Sequence, residues 1–450
     1  MTNWKVPLFV IVITSLNNVA FGQEKWDLRQ CVEYAWKNNI SIKQKDIDAR
    51  IAAVSFRQAK WQQYPTANLS NNTNLQFGRS IDPTTNQFTS VQLLSQSFAV
   101  NTGINVFNWN RMVYDITSAR YQAEAAEADV EKIKNDIGLS VANYYLQVLL
   151  SRQQVEVAKV QLAQTLNQVQ LTRKKVDAGA APELDALTLE GQYATDSSTY
   201  ITAQANANLN LLQLKGVLNV DAAAAFDVET PPVEQIPVEP ILELLPENVF
   251  TIAMKNQPAQ KANALRLKSM EAGVKSVRAN FYPTIGFGAG LGTNFANILK
   301  GKSIEKVWEG WGTQMTDNFR QNIGLSISVP ILNGGQAKFG YEKAKLNYKG
   351  AEITIEQANQ TLKNDIYQAY YNATAALEKY NATQKAVATS QKTFDFASKR
   401  YELGLLNIFD LITSQNNLTK ARYDMAYARV DYVFKMKVLE FYKGLGIRLN

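Results

Sequence analysis

An internal duplication constrains this chain more strongly than any other feature of its sequence. In the C-terminal parts of the two copies, a shift of 225 positions pairs Gly179 with Gly404, and similar residues surround both glycines. Closer to the N-terminus the shift becomes 218 and pairs Tyr64 with Tyr282. Because repeated sequence predicts repeated structure, the 450 residues should fold as two copies of one succession of elements.

The duplication and the chain ends predict four segments. Residues 1–22 join a lysine, an apolar run and small residues, which is typical of a cleaved signal peptide. Residues 23–220 and 246–450 are the first and second structural repeats, and the proline-rich segment 221–245 connects them, since its prolines exclude a helix. Cys31 lies too far beyond the expected cleavage point to carry a lipid, so no lipidation is expected.

The composition argues against an enzyme. The chain has no histidine and a single cysteine, which removes most zinc sites, histidine-based triads and disulfide frameworks. We therefore expect no catalytic residues, no metal and no cofactor. The net charge is +7, but lysine and arginine are interleaved with acidic residues, which predicts solvated helix faces rather than a surface that binds nucleic acid.

Apolar and small residues recur at alternating steps of three and four in each copy, which predicts long helices with a coiled-coil seam. After these heptads comes one further step of four, which relaxes a left-handed supercoil. The helices should span about 110–176 and 335–401 and reach about 100 Å each, at ~1.5 Å per residue. Taken alone, this periodicity favours an ordinary helical bundle. The seam residues are Ile116, Ala119, Ala123, Ala126, Val130, Ile133 and Ile137, and in the second copy Tyr341, Ala344, Tyr348, Ala351, Ile355, Ala358 and Leu362.

Four segments between the helices alternate with period two, which predicts strands. In 284–292 and 322–329, large apolar residues alternate with glycine, serine and asparagine. The segments 66–77 and 98–106 of the first copy show the same alternation, although the apolar row of 66–77 is weak. An apolar row opposite a row of small polar residues is typical of outer-membrane barrel strands, and a soluble sandwich would show it too.

The strands form two expected hairpins, at about 66–106 and 284–330. The second would contain a long loop, 292–321, whose aromatic sequence suggests a cover over the mouth of a pore. Beyond the N-terminus no segment offers the ~18 uninterrupted apolar residues of a spanning helix, so a membrane location would require strands. Four strands cannot close a barrel, because about eight are needed. The chain would then oligomerise, and the spacing leaves a dimer and a trimer open.

Two stretches at the helix turns carry a resemblance to a known family. They are RYELGLLNIFDLITSQ at 400–415 and its counterpart KVDAGAAPELDALTLE at 175–190, and the opening WDLRQCVEYAWKNN at 26–39 adds to them. With the duplicated order of helix, hairpin, long helix and turn, these stretches resemble the TolC family of outer-membrane efflux channels. The resemblance covers nearly the whole chain after the expected signal peptide.

The resemblance implies an α+β membrane protein. Long coiled-coil helices would form a periplasmic α-barrel, and four strands per chain would contribute to a trimeric, twelve-stranded transmembrane β-barrel in the outer membrane of a Gram-negative bacterium. The implied function is the passive exit duct of a tripartite efflux system. Its partners would be further copies of the chain, outer-membrane lipid, a periplasmic adaptor (membrane fusion) protein and, indirectly, an inner-membrane RND or ABC transporter.

The resemblance also assigns roles to the two helix turns. Gly179 and Ala180 in the first turn, and Gly404 and Leu405 in the second, match positions where the adaptor docks in that family. A structural reason is available for both glycines as well, because a turn that needs positive φ favours glycine. The glycines alone therefore do not separate docking from turn geometry.

A gate at the periplasmic entrance is implied by five further residues. Asp410 matches the first of two aspartates that ring the entrance in the family, whereas Thr413 stands at the position of the second. Tyr401 matches a tyrosine that latches the closed entrance, with Asp185 as its partner, and Leu406 stands where the family has a latch arginine. The resemblance therefore implies one aspartate ring and a thinner latch for this chain.

Two alternatives to an efflux duct remain open from the sequence. A type I secretion duct, which passes unfolded polypeptide, would have nearly the same channel sequence, since specificity resides mainly in the transporter. An exported coiled-coil interaction or structural protein, with its strands in a soluble domain, belongs to a different class.

Overall fold

The computed structural model describes residues 25–81, 86–231, 236, 238–300 and 310–444. The expected signal peptide lies outside these residues, as do parts of the expected second loop and of the proline-rich connection. Within the described part, no helix is both long and apolar enough to cross a membrane.

The two halves of the described chain repeat the same order of α-helices and strands, and the second half adds one short α-helix, α7. The first half contains α1 (Leu28–Asn38), α2 (Ile40–Trp61), β1 (Thr66–Ile81), β2 (Phe88–Phe107), α3 (Arg111–Asp177) and α4 (Glu183–Leu218). The second contains α5 (Pro246–Asn256), α6 (Pro258–Arg278), β3 (Thr284–Lys300), α7 (Trp311–Asp317), β4 (Arg320–Ser328), α8 (Gln336–Glu402) and α9 (Ile408–Tyr442).

The four strands form one antiparallel sheet in the order β1-β2-β3-β4. Strand β2 joins the two halves by pairing with β3, and β3 pairs with β4 from Thr284 opposite Ser328 to Gly292 opposite Arg320. The strands predicted from the period-two alternation are confirmed. Strands β1 and β2 are longer than predicted, because they extend toward each other to Ile81 and Phe88. Strand β4 begins two residues before the predicted range and ends one residue before its end.

The second hairpin corrects the expectation of a loop over 292–321. Strand β3 continues to Lys300, because the long strand β2 offers it a partner as far as Gln92, and α7 follows. Above the end of β4, α7 closes the free edge of β3. The Ala296 amide donates to Gln314 Oε1 at 3.1 Å, and Gln314 Nε2 donates to Ala296 O at 3.1 Å. A side-chain amide thus takes the place of a neighbouring strand.

The two longest helices begin and end within one residue of the sequence prediction. Helices α3 and α8 span 67 residues each, or about 100 Å. The half of α3 nearer the sheet contacts α2 and α6, where Ser118 Oγ lies 2.9 Å from Ser269 Oγ. Its other half contacts α4 and α9, where Gln415 donates to Thr165. Small side chains allow the close approach near the sheet, namely Ala123, Ala125 and Ala128.

The largest buried cluster lies midway along α3, where α1, α4, α9 and the connection between the repeats converge. Val228 of the connection is fully buried and pairs with Trp26 in a short parallel bridge. The Tyr145 hydroxyl donates to Glu229 O at 2.8 Å, and Arg152 Nη1 donates to Val228 O at 2.8 Å. This part of the connection is therefore fastened to α3.

Asp227 adds a charge to this fastening, because its carboxylate also accepts from Arg152. Burial by itself would raise the pKa of Asp227, but hydrogen bonds from Arg152 and from the Val228 amide outweigh it and hold the pKa below the ordinary 3.8. The folded pKa thus lies below the unfolded one. The ionised carboxylate stabilises the fold above pH 3.8, and this contribution is lost as the pH falls through the folded value.

We expect Arg152→Ala to release the connection. The Glu229 amide, which donates to Trp26 O at 2.9 Å, should exchange about tenfold faster at neutral pH, since a hydrogen bond to a charged group contributes about 1.5–3 kcal/mol. In the parent, the same amide should lose protection as the pH falls below 3.8. Hydrogen exchange followed by mass spectrometry, corrected for the intrinsic rate, measures both effects.

The control for this experiment is Arg29→Ala, which removes an exposed ion pair on α1 and should leave the Glu229 amide protected. Equal protection in the parent and in Arg152→Ala would contradict the expectation.

Candidate gate at the helix tips

Two matching turns close the hairpins α3–α4 and α8–α9. Gly179 and Gly404 have φ angles of +69° and +74°, which glycine adopts without strain. In each turn the amide after the glycine donates to a carbonyl in the last turn of the helix, at 2.7 Å for Ala180 and 2.8 Å for Leu405. Glycine favours this helix ending. Turn geometry thus accounts for both glycines, and all four residues are exposed.

Asp410 takes part in the cap of α9. Asn407 precedes the helix, and its Oδ1 accepts from the Asp410 amide at 2.8 Å while its Nδ2 donates to Asp410 Oδ2 at 2.8 Å. Asp410 is exposed, whereas Ile408 and Leu411 beside it are buried. The carboxylate therefore avoids the apolar residues that surround it in the sequence. An asparagine followed three residues later by an acid is a recognisable helix-start signal, so Asn407 could have been found from the sequence.

Tyr401, at the end of α8, contacts the end of α3. Its hydroxyl lies 3.2 Å from Thr172 Oγ1, and Lys175 Nζ lies 5.4 Å from its ring centre. Burial raises the pKa of Tyr401, the hydrogen bond with Thr172 acts against this, and the charge of Asp185 raises the pKa further. Asp185 is thus close enough to act on Tyr401 electrostatically, while the hydroxyl makes its hydrogen bond with Thr172.

Leu406 and Thr413 differ in their surroundings. Thr413 is exposed on α9. Leu406 and Tyr401 are partly buried against a small apolar cluster that joins the two hairpins near their tips. The cluster consists of Leu189, Phe394, Ile408, Leu411 and Leu418. The structure therefore brings Leu406 and Tyr401 to the joint between the hairpins and leaves Asp410 and Thr413 facing outward.

An ionic clip, formed by Arg173, Glu183 and Glu190, fastens the first hairpin. Arg173 Nε donates to Glu190 Oε1 at 2.6 Å and Arg173 Nη1 donates to Glu183 Oε1 at 2.6 Å, which ties α3 to α4 beside the turn. The hydrogen bond from Arg173 holds the pKa of Glu190 below its ordinary range. The equivalent positions of the second hairpin are uncharged, namely Ser398, Ile408 and Gln415. The two tips share backbone geometry but differ in fastening.

A buried polar network joins the hairpins farther from the tips. The Asp196 carboxylate of α4 accepts from Thr165 Oγ1 at 2.6 Å and from Gln161 Nε2 at 3.3 Å, both on α3. From α9, Gln415 Nε2 donates to Thr165 Oγ1 at 3.0 Å, and Thr419 Oγ1 donates to Gln161 Oε1 at 2.6 Å. The spacing of these residues does not predict that they meet, because they come from three distant segments.

The described residues contain no group of three or more His, Cys, Asp or Glu side chains that could hold a metal ion. Cys31 is buried, and burial raises the pKa of its thiol to about 12. Because the thiolate is the reactive form of cysteine, Cys31 is unreactive at neutral pH.

The geometry defines a class of fold in which two long helical hairpins extend from an antiparallel sheet. The model of the outer membrane efflux protein family matches residues 32–220 and 250–440, one segment in each half of the chain. This chain therefore belongs to the outer membrane efflux protein family, in agreement with the resemblance noted from the sequence.

Individual relatives agree with this assignment. The outer membrane protein TolC of Escherichia coli (strain K12) is 23% identical over 435 residues, which are 95% of this chain and 84% of the relative. The alkaline protease secretion protein AprF of Pseudomonas aeruginosa is 22% identical over 337 residues, 73% of this chain and 66% of the relative. A crystal structure of CusC has a TM-score of 0.80 and 16% identity over 94% of this chain and 93% of that chain, which shows a shared fold.

We expect Arg173→Ala to loosen the tip of the first hairpin. Amides of residues 187–190 should exchange up to about fivefold faster, a modest effect because exposed ion pairs are individually weak. The difference from the parent should shrink in about 1 M salt, which screens exposed charges. Hydrogen exchange measures it, with Lys174→Ala as the control, since Lys174 is an exposed cation in the same turn of α3. Equal acceleration in both variants would count against the clip.

Proposed function

We propose that this chain is the outer-membrane exit duct of a tripartite export system and conducts substrates passively from a periplasmic adaptor and inner-membrane pump to the exterior. The family match over both halves of the chain is the observation that carries the proposal. The long hairpins support it, because helices of about 100 Å can line a passage that continues far beyond a membrane.

Three copies of the chain would form the pore. The outer edges of β1 and β4 have no partner in the described chain, and unpaired backbone groups are not tolerated in lipid. On β4, Ile323, Leu325 and Ile327 are 78%, 67% and 63% exposed, as expected of side chains that face lipid. Pairing β4 of one copy with β1 of the next would close a barrel of twelve strands and leave no edge.

The sheet would lie in the outer membrane of a Gram-negative bacterium, with the helices extending into the periplasm. Residues 1–22 would direct export and be removed. The repeats 23–220 and 246–450 would each supply two strands and one hairpin tip, and 221–245 would connect them. The hydrogen bond from Arg152 to this connection supports a rigid joint between the repeats.

The adaptor protein would dock on the two helix turns. Leu403 and Leu405, on either side of Gly404, are 73% and 63% exposed, so the turn presents two neighbouring apolar side chains that a protein partner could cover. Gly179 and Ala180 of the other turn offer a small, accessible surface beside them. An inner-membrane RND or ABC transporter would act through the adaptor and supply the energy.

The gate would be a single ring of three Asp410 carboxylates at the converging tips. The exposed position of Asp410 on the cap of α9 supports this role, because it leaves the charge free to face water. Tyr401 would hold the closed state through Thr172, with Asp185 as a nearby charge. Leu406 would add apolar contact in place of an ion pair.

Protein secretion is a second candidate function. AprF, which is 22% identical to this chain, is named an alkaline protease secretion protein. A type I secretion duct would use the same pore for polypeptide. Expression in strains that lack their own outer-membrane duct distinguishes the two, according to whether drug resistance or export of a secreted protease is restored.

In planar lipid bilayers the purified protein should form discrete channels that prefer cations, and in SDS gels it should migrate as a trimer until boiled. Asp410→Asn should lower the cation-to-anion permeability ratio about threefold or more, because a charged ring in a narrow pore concentrates counter-ions. The asparagine can still accept from Asn407, so the helix cap is kept. Reversal potentials in a salt gradient give the ratio.

The matched control is Asp424→Asn, which removes an exposed charge of α9 away from the tip and should not change selectivity. If the parent forms no channels, the proposed function as an exit duct is wrong. If Asp410→Asn conducts with the parent's selectivity, the proposed ring of Asp410 carboxylates is wrong.

Tyr401→Phe should raise the open probability of the channel about two- to fivefold, since a hydrogen bond contributes about 0.5–1.5 kcal/mol net. Thr172→Val should have a similar effect, and the double variant should add little, because both changes remove one shared hydrogen bond. Single-channel recording measures the effect, with Tyr427→Phe on α9 as the control. If Asp185→Asn reproduces Tyr401→Phe while Thr172→Val does not, the partner in the closed channel is Asp185 instead.

A further inference from the structure

The four strands place their small and polar side chains on one face of the sheet, here called the inner face. Two asparagines mark it. A Cβ added to Gly290 would lie 2.5 Å from Asn322 Oδ1 and 2.9 Å from Asn101 Oδ1, so both amide groups lean over the backbone of Gly290. Because successive residues of a strand point to opposite faces, Ile323 and Leu325 lie on the other, apolar face.

Arg320 also lies on the inner face. It stands opposite Gly292 at the last pair of the β3–β4 ladder. A Cβ added to Gly292 would lie 3.6 Å from Arg320 Nε and 3.9 Å from Ala99 Cβ. Because glycine has no side chain, the side chain of Arg320 can lie along the wall at this point. Arg320 is exposed, so its guanidinium group is available to solutes.

Arg320 is the one charged side chain that the structure describes on the inner face of the strands. The other charged strand side chain that it describes, Arg79, belongs to the opposite face by the alternation of β1, and its guanidinium lies 4.9 Å from the ring centre of Phe88. No carboxylate of the described residues forms an ion pair with Arg320. The positive charge on the inner face is therefore uncompensated among these residues.

The position of Arg320 along the pore follows from the length of β4. Arg320 and Ser328 are the first and last residues of this strand, so they are separated by about 27 Å at 3.3–3.4 Å per residue. Helix α8 follows β4 beyond Ser328, which puts Arg320 at the end of β4 remote from the helices, while β1, β2 and β3 continue past this level. Because barrel strands tilt by about 35–45°, this length rises about 19–22 Å along the pore axis. That is most of the apolar band of a membrane barrel, roughly 25 Å tall, and so places Arg320 near the outer boundary of the membrane.

We propose that Arg320 forms a ring of positive charge in the outer part of the channel and favours solutes that carry a carboxylate, phosphate or sulfate group. The inference rests on the proposed function, because three copies are needed to place three guanidinium groups around one pore. Low-dielectric walls focus the field of such a ring and raise the local concentration of anions. Guanidinium groups also bind oxyanions through two parallel N–H donors, which a simple point charge does not offer.

The charges at the two ends of the proposed channel are opposite in sign. A solute would pass Asp410 at the helix tips and Arg320 at the exit, and the wall beside Arg320 carries the uncharged amides of Asn101 and Asn322. The exit ring would draw anionic solutes outward from a long, largely neutral passage. It would also oppose the entry of cations from the exterior.

The test is block of single-channel current by tripolyphosphate, added to one side of a planar bilayer at a time. On the strand side, Arg320→Gln should need about tenfold more tripolyphosphate than the parent for half-block, a value near the low end of electrostatic focusing. Arg320→Lys keeps the charge and should keep most of the block. On the helix-tip side, the block should be weaker and the same in the parent and both variants.

Arg79→Gln is the matched control, because it removes the same charge from the opposite face of the sheet and should be blocked like the parent. If Arg320→Gln is blocked like the parent, or if Arg79→Gln loses as much block as Arg320→Gln, the proposed ring of Arg320 is wrong. The proposed function as a duct would be unaffected. Equal block from both sides of the parent would overturn the proposed ring without any variant. A parent protein that forms no channels would overturn the proposed function itself, and the exit ring with it.

Discussion

The two unpaired edges of the sheet are the constraint on which the rest of the structure depends. Strands β1 and β4 each present a row of backbone N–H and C=O groups without a partner in the described chain, and one face of the sheet is apolar. Exposing the apolar face to water is unfavourable, and so is exposing the unpaired edge groups to lipid. Closure with other copies satisfies both requirements. Closing the sheet in this way also determines where the long helices lie, because α3 and α8 begin a few residues after β2 and β4 end.

Duplication supplies two hairpins with nearly the same backbone, and the side chains make them different. Three charged residues led by Arg173 fasten the first tip, whereas the second relies on its helix cap and on apolar contact. The buried network around Asp196 then joins both hairpins through α9. Burying a carboxylate is unfavourable unless its hydrogen bonds are made, so the network favours one relative position of the hairpins over sliding alternatives. Any motion of one hairpin against the other must break these bonds.

Periodic features of the sequence predicted much of the fold, and contacts between distant segments account for what they missed. Steps of three and four located α3 and α8 because a long seam repeats the same signal many times. The extension of β3 to Lys300 left no such signal, since its partner is the start of β2 in the other repeat. At the tips, the resemblance indicates Asp410 and Tyr401, and the helix-start signature of Asn407 and Asp410 also predicts the cap of α9. Thr172 had none, because 229 residues separate it from Tyr401.

The side-chain amide of Gln314 limits where another copy of the chain can pair with the sheet. By holding both the N–H and the C=O of Ala296, it removes the stretch of β3 above β4 from the edges on which another strand could grow. A neighbouring copy is left with the nine residues of β4 on that side. Short edges tolerate few alternative alignments, so shifted pairings and open-ended ribbons become less competitive than a closed ring. One side chain outside the paired region thus narrows the choice of register during assembly.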